Sequence, residues 1–411
     1  MLLARRELLI GGAATSAFLA PLATRQLRGE GGADPRSFGA RGDGLADDTH
    51  AVRQALDYAF DRNIPVDGGG ARFAVNGNIS VAGRARPWIR QLNLKQLSPA
   101  DDRKTLFFAR CEQIRIDQLE IDVGNSKSAG YFNVSGGLWI DGGRGHDVRN
   151  VDVHGHGRNS LIAIWNSAAS TYANLHAHDG AYDARSARDD QLQGIFLCRN
   201  TDCIIQSPRV SNLSGNANPR FPNRFTRGIA ACGNQGVRII DANVDHVDQG
   251  IDLTGSDGNR DCTIVRAHCV QCTAVGVKLA NSAVGCRVSD SIAERCGLTG
   301  FLASGPAEAG LRYKTRDCDF IRCTSYDAGA NGFADAAPHA GFRVERNRFD
   351  MDFPMGIRFV ECRAIDRQSH PTMDYGFYED VRESGIPRRP NQLIDCTSSG
   401  HLKAMRSGHW S

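Results

Sequence analysis

The chain has 411 residues, a net charge of +3 from 49 Lys and Arg against 46 Asp and Glu, 45 glycines and 7% aromatic residues. So small a surplus of charge, with no basic stripe interleaved with aromatics, argues against a nucleic-acid binder. Beyond residue 24 no segment is long and apolar enough to insert stably in a membrane as a helix, and abundant glycine with sparse aromatics fits many tight turns around a narrow core.

Residues 1–24 read as an export signal. Arg5-Arg6-Glu7-Leu8-Leu9 precedes a small-residue apolar run, Ile10 to Ala20, that is too short to span a bilayer. This is the twin-arginine pattern, with Ala4 where Ser or Thr is common. A periplasmic or secreted protein is therefore expected, with residues 25–411 as one domain.

The segment Phe38-Gly-Ala-Arg-Gly-Asp-Gly-Leu-Ala-Asp-Asp-Thr49 begins the domain. Gly42 and Gly44 permit a tight turn, and Asp47 or Asp48 can cap a helix whose apolar face is Ala51, Val52, Ala55, Leu56 and Ala59. The spacing places this capping unit over residues 38–60, closing the first coil of a repeat that runs over about residues 70–400.

A polar stretch follows. His154 and His156 flank Gly155, His176-Ala-His178-Asp179 comes one unit later, and a loop from Ala181 to Gln193 carries Asp189 and Asp190. By composition His154 matches His176, and His156 matches His178, on neighbouring rungs. Arg220, Arg224 and Arg227 then lead into the next unit, and Asp245-His246-Val247-Asp248 into the one after. Trp165 and Phe196, if outward, offer flat faces for a sugar ring.

From Arg227 to Ser304 the repeat is plain. Gly228-Ile-Ala-Ala-Cys232, Gly250-Ile-Asp-Leu-Thr254, Gly276-Val-Lys-Leu-Ala280 and Gly300-Phe-Leu-Ala-Ser304 share a Gly, apolar, variable, apolar, variable pattern. That is the period-2 signature of a strand with one buried face, and heads roughly 22 to 26 residues apart mean a solenoid. Between them a second short strand recurs, at Asp202-Cys-Ile-Ile205, Gly236-Val-Arg-Ile239, Asp261-Cys-Thr-Ile264, Gly285-Cys-Arg-Val288 and Asp317-Cys-Asp-Phe320. With no room for a helix, each unit is one coil of a parallel β-helix, and equivalent residues stack rung on rung at about 4.8 Å.

The alignment sorts side chains. Ile229, Ile251, Val277 and Phe301 form one interior stack, and Ala231, Leu253, Leu279 and Ala303 another. Outward, Phe196 and Cys198 are followed by Ala230 and Cys232, Asp252 and Thr254, Lys278 and Ala280, and Leu302 and Ser304. Asp252 and Lys278 thus stand one rung apart, either as a register-pinning surface pair worth at most about 1 kcal/mol or as part of a site. Valine replaces cysteine once in the series Cys203, Val237, Cys262, Cys286, Cys318, which marks an interior packing slot rather than a metal or disulfide position. A stacked pair of cysteines could still oxidise after export. Later coils are read at Gly332-Phe, Gly341-Phe, Gly356-Ile and Gly376-Phe.

The motif at residues 38–49 and the coil repeat resemble the pectate-lyase-like superfamily, the right-handed β-helices that include polygalacturonases, pectate lyases, some β-glucanases and phage tail-spikes. The resemblance implies an all-β, right-handed parallel β-helix with a short N-terminal capping helix. It transfers no catalytic residue. Polygalacturonases carry paired aspartates, a Gly-His-Gly and an Arg-Ile-Lys in register, and His154-Gly-His-Gly157 matches only the middle element by composition. Trp139-Ile-Asp141 is similar to a short pectate-lyase signature but has Gly142 in place of its histidine.

The functional expectation is an exported enzyme that cleaves an acidic, uronate-containing polysaccharide, with a non-catalytic polysaccharide-binding β-helix of tail-spike type as the alternative. Hydrolysis needs two carboxyl groups, for which Asp248, Asp252, Asp189 and Asp190 are candidates. Elimination needs carboxylate neutralisation by arginine or calcium and a base, roles open to Arg227, Lys278 and His178. Arg224, Arg227, His156, Asp189, Trp165 and Phe196 are the expected substrate contacts. No metal-ligating set is singled out, no cofactor is required, and calcium enters only with elimination.

Overall fold

The computed structural model describes residues 31–97, 104–125, 136–156, 159–182, 192–215, 226–255, 257–305, 314–331, 337–345, 354–380, 389–408 and 410–411. Gly32–Ser411 form one compact unit. Arg5, Arg6, Asp189, Asp190, Arg220, Arg224 and Gly332, all singled out in the sequence, lie outside the described residues, as does the side chain of His156.

The helix Thr49–Arg62 buries the expected face, Ala51, Val52, Ala55, Leu56 and Ala59, and adds Phe60. The two aspartates before it divide the work. Asp47 Oδ1 accepts the Thr49 N–H at 3.0 Å, whereas Asp48 turns back to accept the Arg41 and Gly42 N–H groups at 2.7 and 3.0 Å. One carboxylate thus satisfies a free donor of the first helical turn, and the other pins the glycine turn beneath it.

Among the described residues the coils build a 12-stranded and a 23-stranded sheet, with parallel pairing throughout. The 12-stranded sheet is the column of glycine strands. Ile229, Ile251, Val277 and Phe301 pair in register, as do Ala231, Leu253 and Leu279 and then Ala303. Every one of these side chains is buried. The glycine heads are steric: a Cβ on Gly250 would lie 2.4 Å from the Gly276 carbonyl oxygen and 2.8 Å from Cys269 Sγ. The chain enters the sheet there with no space for a side chain.

The 23-stranded sheet takes two short strands from each coil, separated by a single left-handed residue. In one coil the corners are Gly236, Asp241 and His246, with φ of 63°, 57° and 49°. In the next they are Asp261, Arg266 and Gln271, with φ of 52°, 54° and 51°. The Asp or Gly before each stacked cysteine is therefore a corner residue, suited to the αL conformation. Gly356, with φ of 63°, belongs to this corner series and not to the glycine strands. The strand after Thr299–Ser304 is instead Ala340–Glu345.

All thirteen cysteines are free. Cys203, Cys262, Cys286 and Cys318 are buried with Val237 among them, as interior packing residues. Beside this stack Asn200, Asn234 and Asn259 form a buried amide ladder. Asn234 Nδ2 donates to the Leu197 carbonyl and to Asn259 Oδ1, both at 3.0 Å, while its own Oδ1 accepts the Asn200 N–H at 2.9 Å. The ladder satisfies backbone groups at the turn that no strand reaches.

Candidate functional site

On the outward face of the glycine-strand sheet, pairing places Trp139, Ala163, Phe196, Ala230, Asp252, Lys278 and Leu302 in one row across successive coils. One row over stand Gln193, Arg227 and Gln249, and on the other side Asp141, Trp165, Cys198 and Cys232. The expectation that Trp165 and Phe196 point outward is met. Their rings lie 5.6 Å apart, and Trp139 joins them at 5.8 Å from Trp165. Lys104 Nζ sits over Trp139 at 4.6 Å. Cys198 and Cys232 end the aromatic stretch with their sulfurs 3.2 Å apart.

Next along the face come the charges. Asp252 and Lys278 are adjacent, as the alignment requires, but Asp252 is not a surface residue: its side chain is 0% exposed, against 17% for Arg227 and 18% for Lys278. Arg227 Nε lies 2.9 Å from Asp252 Oδ2 and Lys278 Nζ 3.9 Å from Oδ1. Among the described residues neither carboxylate oxygen accepts a well-formed hydrogen bond, so two cations are what offset the burial of this charge. The surface-pair reading is thereby corrected. Asp252 holds the Arg227 guanidinium and the Lys278 ammonium on the face, and those two groups are more exposed than the carboxylate between them.

Asp248 does different work. Its Oδ2 accepts the Thr226 N–H at 2.7 Å and the Thr226 hydroxyl at 3.1 Å, and its Oδ1 accepts from the Thr273 hydroxyl. Both oxygens are spent on joining three coils at the strand entrance.

His178 lies on the other sheet, away from the Asp252 row. The observed register pairs His154 with His178 and Asp152 with His176, so the matches drawn from composition were shifted by two residues. Asp152, which no motif had marked, is the hub. Its Oδ1 lies 3.2 Å from His154 Nδ1 and 3.0 Å from His178 Nε2, and its Oδ2 lies 2.8 Å from His176 Nδ1. His178 Nδ1 is 2.7 Å from Asp179 Oδ2. The rings of His154 and His176 stack on His178 at 5.1 and 4.2 Å. Partial burial pushes the Asp152 carboxyl up, but the contacts from His154, His176 and His178 outweigh it and hold the group well below the usual carboxylate range. The Asp152 contact in turn raises His154, and that of His178 lowers Asp179. The available signal was the alternation Asp152-Val-His154, which puts both side chains on one face of a strand.

No family model matches the chain, and no curated protein matches its sequence. Solved structures do match its fold. A surface adhesin of Streptococcus pneumoniae aligns with TM-score 0.56 at 10% identity over 92% of this chain and 91% of that one. An exopolygalacturonase from Thermotoga maritima aligns with TM-score 0.52 at 10% identity, covering 90% and 88%. The Dettilon tailspike protein aligns with TM-score 0.52 at 13% identity, covering 90% of this chain and 67% of that one. The chain has the pectate-lyase-like β-helix fold. Within that β-helix the two clusters described above stand on different sheets and share no residue. Among the described residues no helix is long and apolar enough to cross a membrane.

Proposed function

We propose that the protein is an exported β-helix that binds an acidic polysaccharide along the outward face of the glycine-strand sheet and cleaves it by elimination. The observation that carries this reading is the enclosed Asp252 holding Arg227 and Lys278 on the same outward face as the half-buried rings of Trp165 and Phe196. Aromatic faces suit sugar rings, and a guanidinium suits a uronate carboxylate. Elimination is favoured over hydrolysis by the carboxylate inventory. Among the described residues of the outward rows from Gln193–Cys198 to Thr299–Ser304 the one carboxylate is the enclosed Asp252, with Asp141 four coils away beside Trp165, and hydrolysis calls for two that face the scissile bond.

In this scheme Arg227 neutralises the substrate carboxylate and so acidifies the C5 proton. Lys278, after giving up one proton to solvent, takes the C5 proton; the C4–O bond breaks, a C4=C5 double bond forms, and a solvent water protonates the leaving oxygen. In this scheme the Arg227 guanidinium, and not a calcium ion, neutralises the substrate carboxylate. The structural likeness to an exopolygalacturonase and to tailspikes is consistent with a polysaccharide ligand.

The test is incubation with a panel of uronate-containing and neutral polysaccharides, following reducing ends and the ultraviolet absorbance of an unsaturated uronate. Both signals together, lost about a hundredfold or more in Lys278→Met, are the expected result. Reducing ends without absorbance would mean hydrolysis. Retention on an acidic polymer without cleavage would favour the binding reading, which the full enclosure of Asp252 also suits.

A further inference from the structure

The geometry points to a transition-metal site on the other sheet, built from Asp152, His154 and His178. One ligand atom from each of the three lies within 4.8 Å of the others. Asp152 and His154 come from the strand Asp147–His156 and His178 from Thr171–His178 one rung away, so an ion there would cross-link two coils.

Three observations carry the inference. The first is spacing. Metal–nitrogen and metal–oxygen bonds of about 2.0–2.1 Å at tetrahedral angles give ligand-to-ligand edges of about 3.3 Å. Asp152 Oδ1 lies 3.2 Å from His154 Nδ1 and 3.0 Å from His178 Nε2. The second is that both ring nitrogens of His178 face carboxylates, Nδ1 toward Asp179 and Nε2 toward Asp152. A neutral imidazole has one N–H, so the second contact calls for a positive centre, either a proton that makes the ring an imidazolium or a metal ion in its place. With Nδ1–H given to Asp179, Nε2 is left as the free donor toward the centre, the carboxylate–histidine arrangement that orients metal ligands. The third is support for the carboxylate: His176 Nδ1 holds Asp152 Oδ2 at 2.8 Å and leaves Oδ1 for the ion.

Two imidazoles and one carboxylate select zinc, cobalt, nickel or copper over calcium and magnesium, which demand oxygen ligands. Ligand side chains that are 21–38% exposed leave an approach from solvent. Three protein ligands also leave a position for water or a ligand oxygen, the pattern of a reactive site more than of a closed structural one. The inference is independent of the function proposed for the Asp252 face.

The test is calorimetric titration of the chelator-treated full chain, purified without a histidine tag, with zinc and separately with calcium. One zinc per chain, at least about tenfold weaker in His154→Gln and in His178→Gln, is expected, with no comparable calcium binding. His176→Gln and Asp179→Asn should weaken zinc without abolishing it, as befits residues that orient ligands. These outward-facing variants should keep the wild-type circular dichroism spectrum. Absence of zinc binding, equal binding of calcium, or zinc binding unaffected by His154→Gln and His178→Gln in folded protein would each overturn the assignment.

Discussion

Replacing Arg227 by Met tests whether Asp252 is a buried charge held by its neighbours. The Asp252 side chain is 0% exposed and Arg227 Nε is its closest cation at 2.9 Å, with Lys278 more distant at 3.9 Å. Removing one partner of a buried pair strands the other and costs about 3–5 kcal/mol, whereas removing both is often close to neutral. Arg227→Met should therefore lose most of that amount. Asp252→Leu should lose far less, because Arg227 is 17% exposed and can turn its head toward water. The double variant should resemble Asp252→Leu alone, a coupling of at least about 2 kcal/mol between residues in contact. Urea unfolding followed by far-ultraviolet circular dichroism measures all four proteins, with equal m-values as the check that midpoints report stability. Two single losses of about 1 kcal/mol each, adding in the double variant, would match an exposed pair and refute the reasoning.

The cysteine stack makes a second prediction: Cys286, 1% exposed, should tolerate Val with little loss, while Cys286→Asp should prevent folding, since an unpaired buried carboxylate costs several kcal/mol; equal thermal stability of the two variants would refute the interior assignment. His146 is buried, with Nδ1 accepting the Ile114 N–H at 3.2 Å and Nε2 3.1 Å from the Gly142 carbonyl, and burial lowers its pKa from the ordinary 6.5. Its contribution is complete above pH 6.5 and is lost as pH falls below it, by up to about 1.4 kcal/mol per pH unit; His154, raised by Asp152, acts oppositely at higher pH, so the check is the difference between wild type and His146→Gln, whose slope below pH 6.5 should be flatter. Export is tested by replacing Arg5 and Arg6 with Lys: the variant should remain in the cytoplasm on fractionation, and normal export would remove the twin-arginine reading.

Interior and exterior were legible because the code that sorts them is local. A period of two assigns Ile251 and Leu253 inward and Asp252 outward whatever the rest of the chain does, and the glycine heads announce themselves because no other residue fits beneath the neighbouring carbonyl. The helix face over Ala51 to Ala59 was readable for the same reason. Corner residues were half legible: Asp and Gly before the cysteines suggest a turn, but Arg266 and Gln271, which also adopt left-handed φ, carry no such mark.

What the sequence by itself determined, then, is the coil, its inward stacks and the row that joins Asp252 to Lys278. Only the tertiary structure decided what those positions mean. Asp252 is enclosed although its strand position is outward, and the cation closest to it, Arg227, comes from the preceding rung and the neighbouring row. The histidine register depends on the length of the coil between the strands, which is two residues longer than matching His154 to His176 assumes, and that length brings His154 and His178 together on Asp152. Periodicity tells which way a side chain points; which partner it meets is set by the number of residues the chain spends in going once around the helix.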